Sequence, residues 1–155
     1  MSLAIVTLAD RPDLAPIIAD WTWREWGRAQ GETLDQRLAT IAARTARIGL
    51  EQCVVSLIDG APAGTASLTA ADGDARPDLS PWLASVYVAP RFRAVGIAPV
   101  LVKAVEAAAW RAGFPRLWLF TDGQVDLYAS LGWVEHGVLH DGGKPYVLMR
   151  RDRRR

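Results

Sequence analysis

Apolar positions along the chain recur at two periods, and the switches between them mark out its elements. Residues 3–8 are short and β-branched, which predicts a first strand. From 13 to 26 the spacing turns helical, with Leu14, Ile17, Ile18 and Trp21 on one face, Glu25 near it, and Gly27 and Gly31 as punctuation. Thr33 can cap a second helix running to Arg47, with Leu34, Leu38, Ile41 and Thr45 on one face and Gly49 closing it. Residues 51–58 and 63–71 read as strands joined by Asp59-Gly60, a pair suited to turns with positive φ. A strand at 82–89 is stopped by Pro90, and 97–112 is the clearest helix, stopped by Gly113 and Pro115. A strand at 116–121 and a short helix at 124–131 follow. Residues 133–150 read as two strands around Asp141-Gly142-Gly143-Lys144.

The order is β-α-α-β-β-β-α-β-α-β-β. Strand, long helix and strand between 84 and 121 make a βαβ unit, so those two strands are expected to run parallel. The flanking hairpins make the remainder antiparallel, which predicts a mixed α+β sheet covered by helices.

A length of 155 residues suits one domain, and 50% hydrophobic with 23% charged residues excludes a disordered or collagen-like chain. No apolar run approaches the ~20 residues that cross a bilayer. The first residues carry no basic segment and meet Asp10-Arg11 early, unlike a signal peptide, and the expected location is cytoplasmic. Cys53 is the one cysteine, and within a strand it reads as a buried small hydrophobe. Formal net charge is +1, but the last six residues hold five arginines and one aspartate. Subtracting them from 18 basic and 17 acidic residues leaves 13 and 16, a mildly acidic body with a basic tail at 151–155. That tail is expected to be frayed and solvated; its other use would be contact with nucleic acid.

Candidate chemistry concentrates between Val86 and Pro99. There a strand ends at a proline, a loop with Arg91 and Arg93 follows, and a helix starts at Gly96. The first turn of a helix has unpaired N–H groups and the positive end of the dipole. Ala94, Gly96 and Ala98 are small enough for an anion to approach the backbone, which suits a phosphate or pyrophosphate. Neither a G-x-x-x-x-G-K-[ST] loop nor G-x-G-x-x-G is present.

This stretch resembles the GNAT superfamily of acyl-CoA-dependent N-acyltransferases. Arg93-Ala94-Val95-Gly96-Ile97-Ala98 matches its [RQ]-x-x-G-x-[GA] loop, with Val86-Tyr87-Val88-Ala89-Pro90 before it and the long helix after it. Downstream, Tyr128-Ala129-Ser130-Leu131-Gly132-Trp133 is similar to the family's Y-x-x-x-G-[FW] segment. Ala94 departs from the glycine of many members. The resemblance spans nearly the whole chain and implies a mostly antiparallel mixed sheet of six to seven strands flanked by helices, forming one N-acetyltransferase domain over residues 1–150.

It also implies acetyl-CoA as cosubstrate, its diphosphate on the backbone of Ala94, Val95, Gly96, Ile97 and Ala98 near Arg93, and its pantetheine arm along Val86 and Val88. A backbone N–H near Val88 would polarise the thioester carbonyl. A primary amine of a small molecule or protein attacks directly, and Tyr128 is the expected acid for the departing thiolate. The strand before the loop has no carboxylate, so the base is left among Glu25, Asp72 and a water chain. Without that carboxylate, a non-catalytic acyl-CoA sensor is the rival reading. His136 and His140 lie four apart in a strand, ~13 Å, too far to share one metal ion. Trp21, Trp110 and Trp118 are expected in the core. Trp23, Trp26, Trp82 and Trp133 are expected at edges, where they would serve an acceptor pocket or a homodimer interface.

Overall fold

The computed structural model describes residues 1–154. Seven strands form one sheet in the order β1-β2-β3-β4-β5-β7-β6. They are β1 (Leu3–Thr7), β2 (Gln52–Ile58), β3 (Ala61–Thr69), β4 (Trp82–Val88), β5 (Arg116–Thr121), β6 (Val134–Asp141) and β7 (Lys144–Asp152). The helices are α1 (Ala15–Thr22), α2 (Leu34–Ala42), α3 (Ile97–Arg111) and α4 (Val125–Ser130). Every neighbouring pair is antiparallel except β4 and β5, the two strands that α3 connects. The expected mixed, mostly antiparallel sheet is thus present with seven strands. No helix among the described residues is long and apolar enough to cross a membrane.

Alternation along β2 divides the core. Cys53, Val55 and Leu57 meet Ile18, Ala19 and Ile41 of α1 and α2, while Val54 and Ile58 join Leu101, Val102 and Val105 of α3 on the opposite face. With both faces covered, all seven β2 residues are buried, Cys53 among them. Local chemistry agrees at two expected points. The Thr33 hydroxyl accepts from the Gln36 N–H at 3.1 Å while the Gln36 side chain accepts from the Thr33 N–H at 2.9 Å, a reciprocal cap that starts α2. Asp59 (φ 49°) and Gly60 (φ 84°) make the β2–β3 turn with both residues left-handed.

Three expectations fail. The second helix stops at Ala42 rather than Arg47: Ala46 N–H already donates to the Glu51 carbonyl, Thr45 bridges to Gln52, and Arg44 is drawn into the sheet. The first helix is shorter too. It continues past Thr22 as a π-turn over Trp23–Gly27 that carries Glu25. The tail at 151–155 is not frayed from its start, since β7 runs to Asp152 and pairs Leu117 with Arg151. The Arg151 guanidinium donates to Glu106 at 3.3 Å and to the Gly132 carbonyl at 2.9 Å. Arg155 lies outside the described residues.

Candidate active site

β4 and β5 are in register at one pair only, Trp82 with Trp118, and then diverge. Between them opens a cavity of about 880 Å³. Its walls bring together Val86 and Val88 of β4, Arg93, Ala94, Gly96, Ile97 and Ala98 of the loop and α3, and Tyr128 of α4. Of the residues expected at the cosubstrate site, Val95 alone is off the wall, its side chain half exposed to solvent.

At one end of the cavity the chain turns over Pro90–Phe92 and enters α3 through two left-handed residues, Ala94 (φ 67°) and Gly96 (φ 82°). No side chain caps α3, so the N–H groups of its first turn have no partner within the helix or at the cap, and Pro99 has none to leave unpaired. Arg93 reaches back along β4: its Nε donates to the Val88 carbonyl at 2.9 Å, and its guanidinium stands 5.6 Å from the Tyr87 ring. Arg91 instead stacks on Phe92 at 4.4 Å, off the cavity.

Tyr128 is buried beside Trp133, ring centroids 6.1 Å apart. Burial alone pushes its hydroxyl up to about 12, so the phenol keeps its proton throughout the physiological range.

The opposite end is built from elements far apart in sequence: Glu25 and Trp26 of the π-turn, Arg37 of α2, Asp72 and Gly73 after β3, Asp141 of β6 and Tyr146 of β7. Trp21 and Trp26 lie 5.5 and 6.4 Å from the Tyr87 ring. Asp72 titrates at about 6, raised chiefly by burial and also by neighbouring Asp141, and opposed by the positive charges of Arg44 and Arg37. Both carboxylates considered as a base, Glu25 and Asp72, therefore stand on this wall. The tryptophans divide differently from expectation. Trp82 and Trp133 are buried, donating to the Leu79 carbonyl and to Glu106, because an indole N–H inside a core needs an acceptor. Trp21, expected in the core, is on Tyr87.

Sequence reasoning did not single out Tyr87, Ser85, Arg44, Arg37 or Asp141. A signal existed for the arginines: Arg37 and Arg44 flank Ile41 at helical spacing, on the side that faces the sheet. His136 and His140 are on β6, where His136 packs edge-on against Trp118 at 4.8 Å. Among the described residues no three metal-ligating side chains cluster.

The fold is shared with solved acetyltransferases. An aminoglycoside 6'-N-acetyltransferase complexed with coenzyme A matches 98% of this chain over 97% of its own, with TM-score 0.75 at 16% identity. The PaiA N-acetyltransferase of Thermoplasma acidophilum, also with coenzyme A, matches 99% over 100% at 0.72 and 16%. yncA of Salmonella typhimurium, with its cofactor acetyl-CoA, matches 98% over 94% at 0.67 and 17%. No curated protein sequence matches the chain. The model of the acetyltransferase (GNAT) family matches residues 15–133, most of the chain, and with the loop and cleft described above it establishes that this protein belongs to the GNAT acetyltransferase family.

Proposed function

We propose that the cavity binds acetyl-CoA and that the protein transfers the acetyl group to a primary amine of a small molecule or protein. The observation that carries this reading is the parting of β4 from β5 beside an uncapped helix start, with Tyr128 and Asp72 both on the walls. The diphosphate would lie on the backbone of Ala94, Val95, Gly96, Ile97 and Ala98 near Arg93, where amide N–H groups and the helix dipole favour an anion. The pantetheine arm would run along Val86 and Val88 as an added strand. The N–H near Val88 would polarise the thioester carbonyl.

The amine nitrogen forms a bond to the acetyl carbon, and the carbon–sulfur bond breaks as the tetrahedral intermediate collapses. One proton leaves the nitrogen for Asp72, and sulfur departs under hydrogen bonding from Tyr128. Asp72 suits the first role because, at about 6, it is largely ionised at neutral pH yet basic enough to accept a proton. Carboxylates and the rings of Trp26, Tyr87 and Tyr146 on the acceptor wall suit an ammonium-bearing molecule. The proposed catalytic unit is one domain that extends through Asp152.

The test is CoA release from acetyl-CoA with spermidine, tyramine and a lysyl peptide as acceptors, followed as free thiol after quenching. Turnover with any of them supports the reading. Acetyl-CoA binding seen by thermal shift, with no turnover across the panel, favours the acyl-CoA sensor instead. Because the Asp72 carboxyl is raised, activity should fall as pH drops through about 6. Asp72→Asn should remove that limb and lower kcat about 100-fold.

A further inference from the structure

Arg44 is a buried arginine, 9% exposed, in the segment that leaves α2. No carboxylate among the described residues lies within salt-bridge distance of it, whereas Arg37, equally buried, is paired with Glu32. Its Nη1 instead donates to two hydroxyls, Ser67 of β3 at 3.0 Å and Ser85 of β4 at 3.2 Å. Ser85 is left-handed (φ 57°), a conformation a serine adopts only when its surroundings hold it there. At this point the β3–β4 register jumps, from Ser67↔Ala84 to Thr65↔Tyr87. The guanidinium thus clamps the bulge from which Val86, Tyr87 and Val88 continue along the cavity. The carboxylate that most offsets its burial on the cavity wall is Asp72.

We propose that Arg44 is a positioning residue for acetyl transfer, acting through Ser85 on the backbone of β4 and through its charge on Asp72. This rests on the reading above that Asp72 accepts the amine proton. The charged groups facing Asp72 are Arg44 and Arg37 from the α2 side and Asp141 from β6, with Glu25 of the π-turn on the same cavity wall. Both arginines favour the ionised carboxylate, and Arg44 does so more strongly, Arg37 being paired with Glu32. Arg44 touches neither reactant. Its contribution is to fix where the strand presents its backbone and at what pH the base becomes competent.

The experiment compares Arg44→Gln, Arg44→Lys, Ser85→Ala and Asp72→Asn in the full chain, each checked by thermal melting. Carboxyl titration of Asp72 by carbon NMR, without any acceptor, reads the charge effect independently of turnover. Arg44→Gln should move that titration, and the acidic limb of kcat/KM with acetyl-CoA and the best amine of the panel, to higher pH by about one unit. Arg44→Lys should leave both near wild type while raising the KM for acetyl-CoA about fivefold, since lysine keeps the charge and loses the two-serine clamp. Ser85→Ala should raise that KM similarly and leave the limb in place. A folded Arg44→Gln with an unmoved Asp72 titration overturns the proposal. If Arg44→Gln does not fold, an unchanged KM in Ser85→Ala overturns it. If the Asp72 titration moves but the limb does not, and Asp72→Asn keeps the limb, the assignment of Asp72 as base is what fails, and Arg44's part in the reaction with it.

Discussion

Replacing Tyr128 with phenylalanine removes one oxygen and leaves the ring against Trp133 in place. The phenol sits at about 12, whereas an alkyl thiol such as that of CoA titrates near about 8.5. Handing the proton completely to a free thiolate is then uphill by roughly 3.5 pK units, or about 5 kcal/mol. In the proposed mechanism Tyr128 would therefore act mainly as a hydrogen-bond donor to sulfur while negative charge develops there. A hydrogen bond to a charged group is worth about 1.5–3 kcal/mol, so Tyr128→Phe should lower kcat roughly 10- to 150-fold. Affinity for acetyl-CoA should be barely altered. Stability should hold or rise slightly, because burial alone accounts for the hydroxyl's shift and its removal strands no partner. The measurement is single-turnover thiol release, where chemistry sets the rate, alongside equilibrium binding of acetyl-CoA and a melting curve. Because the group's titration is raised, the donor stays protonated from pH 5 to well above 10, and Tyr128 should produce no alkaline limb below that. A mutant with wild-type single-turnover rate would refute the donor role, leaving Tyr128 as a packing residue and water as the proton source.

Gly96→Glu should weaken acetyl-CoA binding about 100-fold or more by setting a carboxylate beside the diphosphate, and Gly96→Ala, at φ 82° with open space around its Cβ, should cost about 1–2 kcal/mol of stability with binding largely kept; isothermal titration and melting curves separate the two. Arg151→Ala leaves the Glu106 carboxylate with Trp133 as its remaining side-chain partner, and should lower stability by about 2 kcal/mol, a fall of several degrees in Tm by calorimetry. Gly64→Ala would bring a methyl to 2.7 Å from the Tyr87 carbonyl and 3.0 Å from Leu101, costing about 1–3 kcal/mol in chemical denaturation.

The half of the site proposed for the cosubstrate was legible because it is local. One strand, one loop and the first turn of one helix supply it, and small residues between Arg93 and Ala98 announce the chemistry before any tertiary contact is known. The half proposed for the acceptor is assembled from a π-turn, α2, the segment after β3, and the β6–β7 hairpin, and no short-range pattern ties Glu25 to Asp72 or Asp141. Periodicity also misled where a polar residue does tertiary work. The apolar face of α2 continues in phase to Thr45, so the pattern predicts a helix running on to Arg47, five residues past Ala42. The chain leaves the helix there because the guanidinium reaches Ser67 and Ser85 in the sheet. Trp82 and Trp133 follow the same logic: their indole acceptors, a loop carbonyl and Glu106, exist only in the folded chain.

The bulge at Ser85 decides which β4 residues face which side of the sheet. Leu83 packs against α3, so an uninterrupted strand would send residues 85 and 87 to the same face and residues 84, 86 and 88 to the other. One extra residue reverses that order beyond it. Val86 and Val88 consequently join the α3-side core with Ile97, and Tyr87 emerges toward α1, against Trp21 and Trp26. The left-handed serine costs about 1–2 kcal/mol, yet without it the aromatic cluster of Trp21 and Trp26 would lose its central ring. The same register jump accompanies the divergence of β4 from β5, which leaves backbone groups of β4 on that side free of strand partners. Apart from the Val88 carbonyl, which accepts from Arg93, such groups must be met by water or by a ligand that is itself extended and rich in amides. Exchanging water for pantetheine amides gains only about 0.5–1.5 kcal/mol per hydrogen bond. On the proposed reading the strand edge would therefore align the thioester more than it supplies affinity, and the uncapped start of α3 would hold the diphosphate.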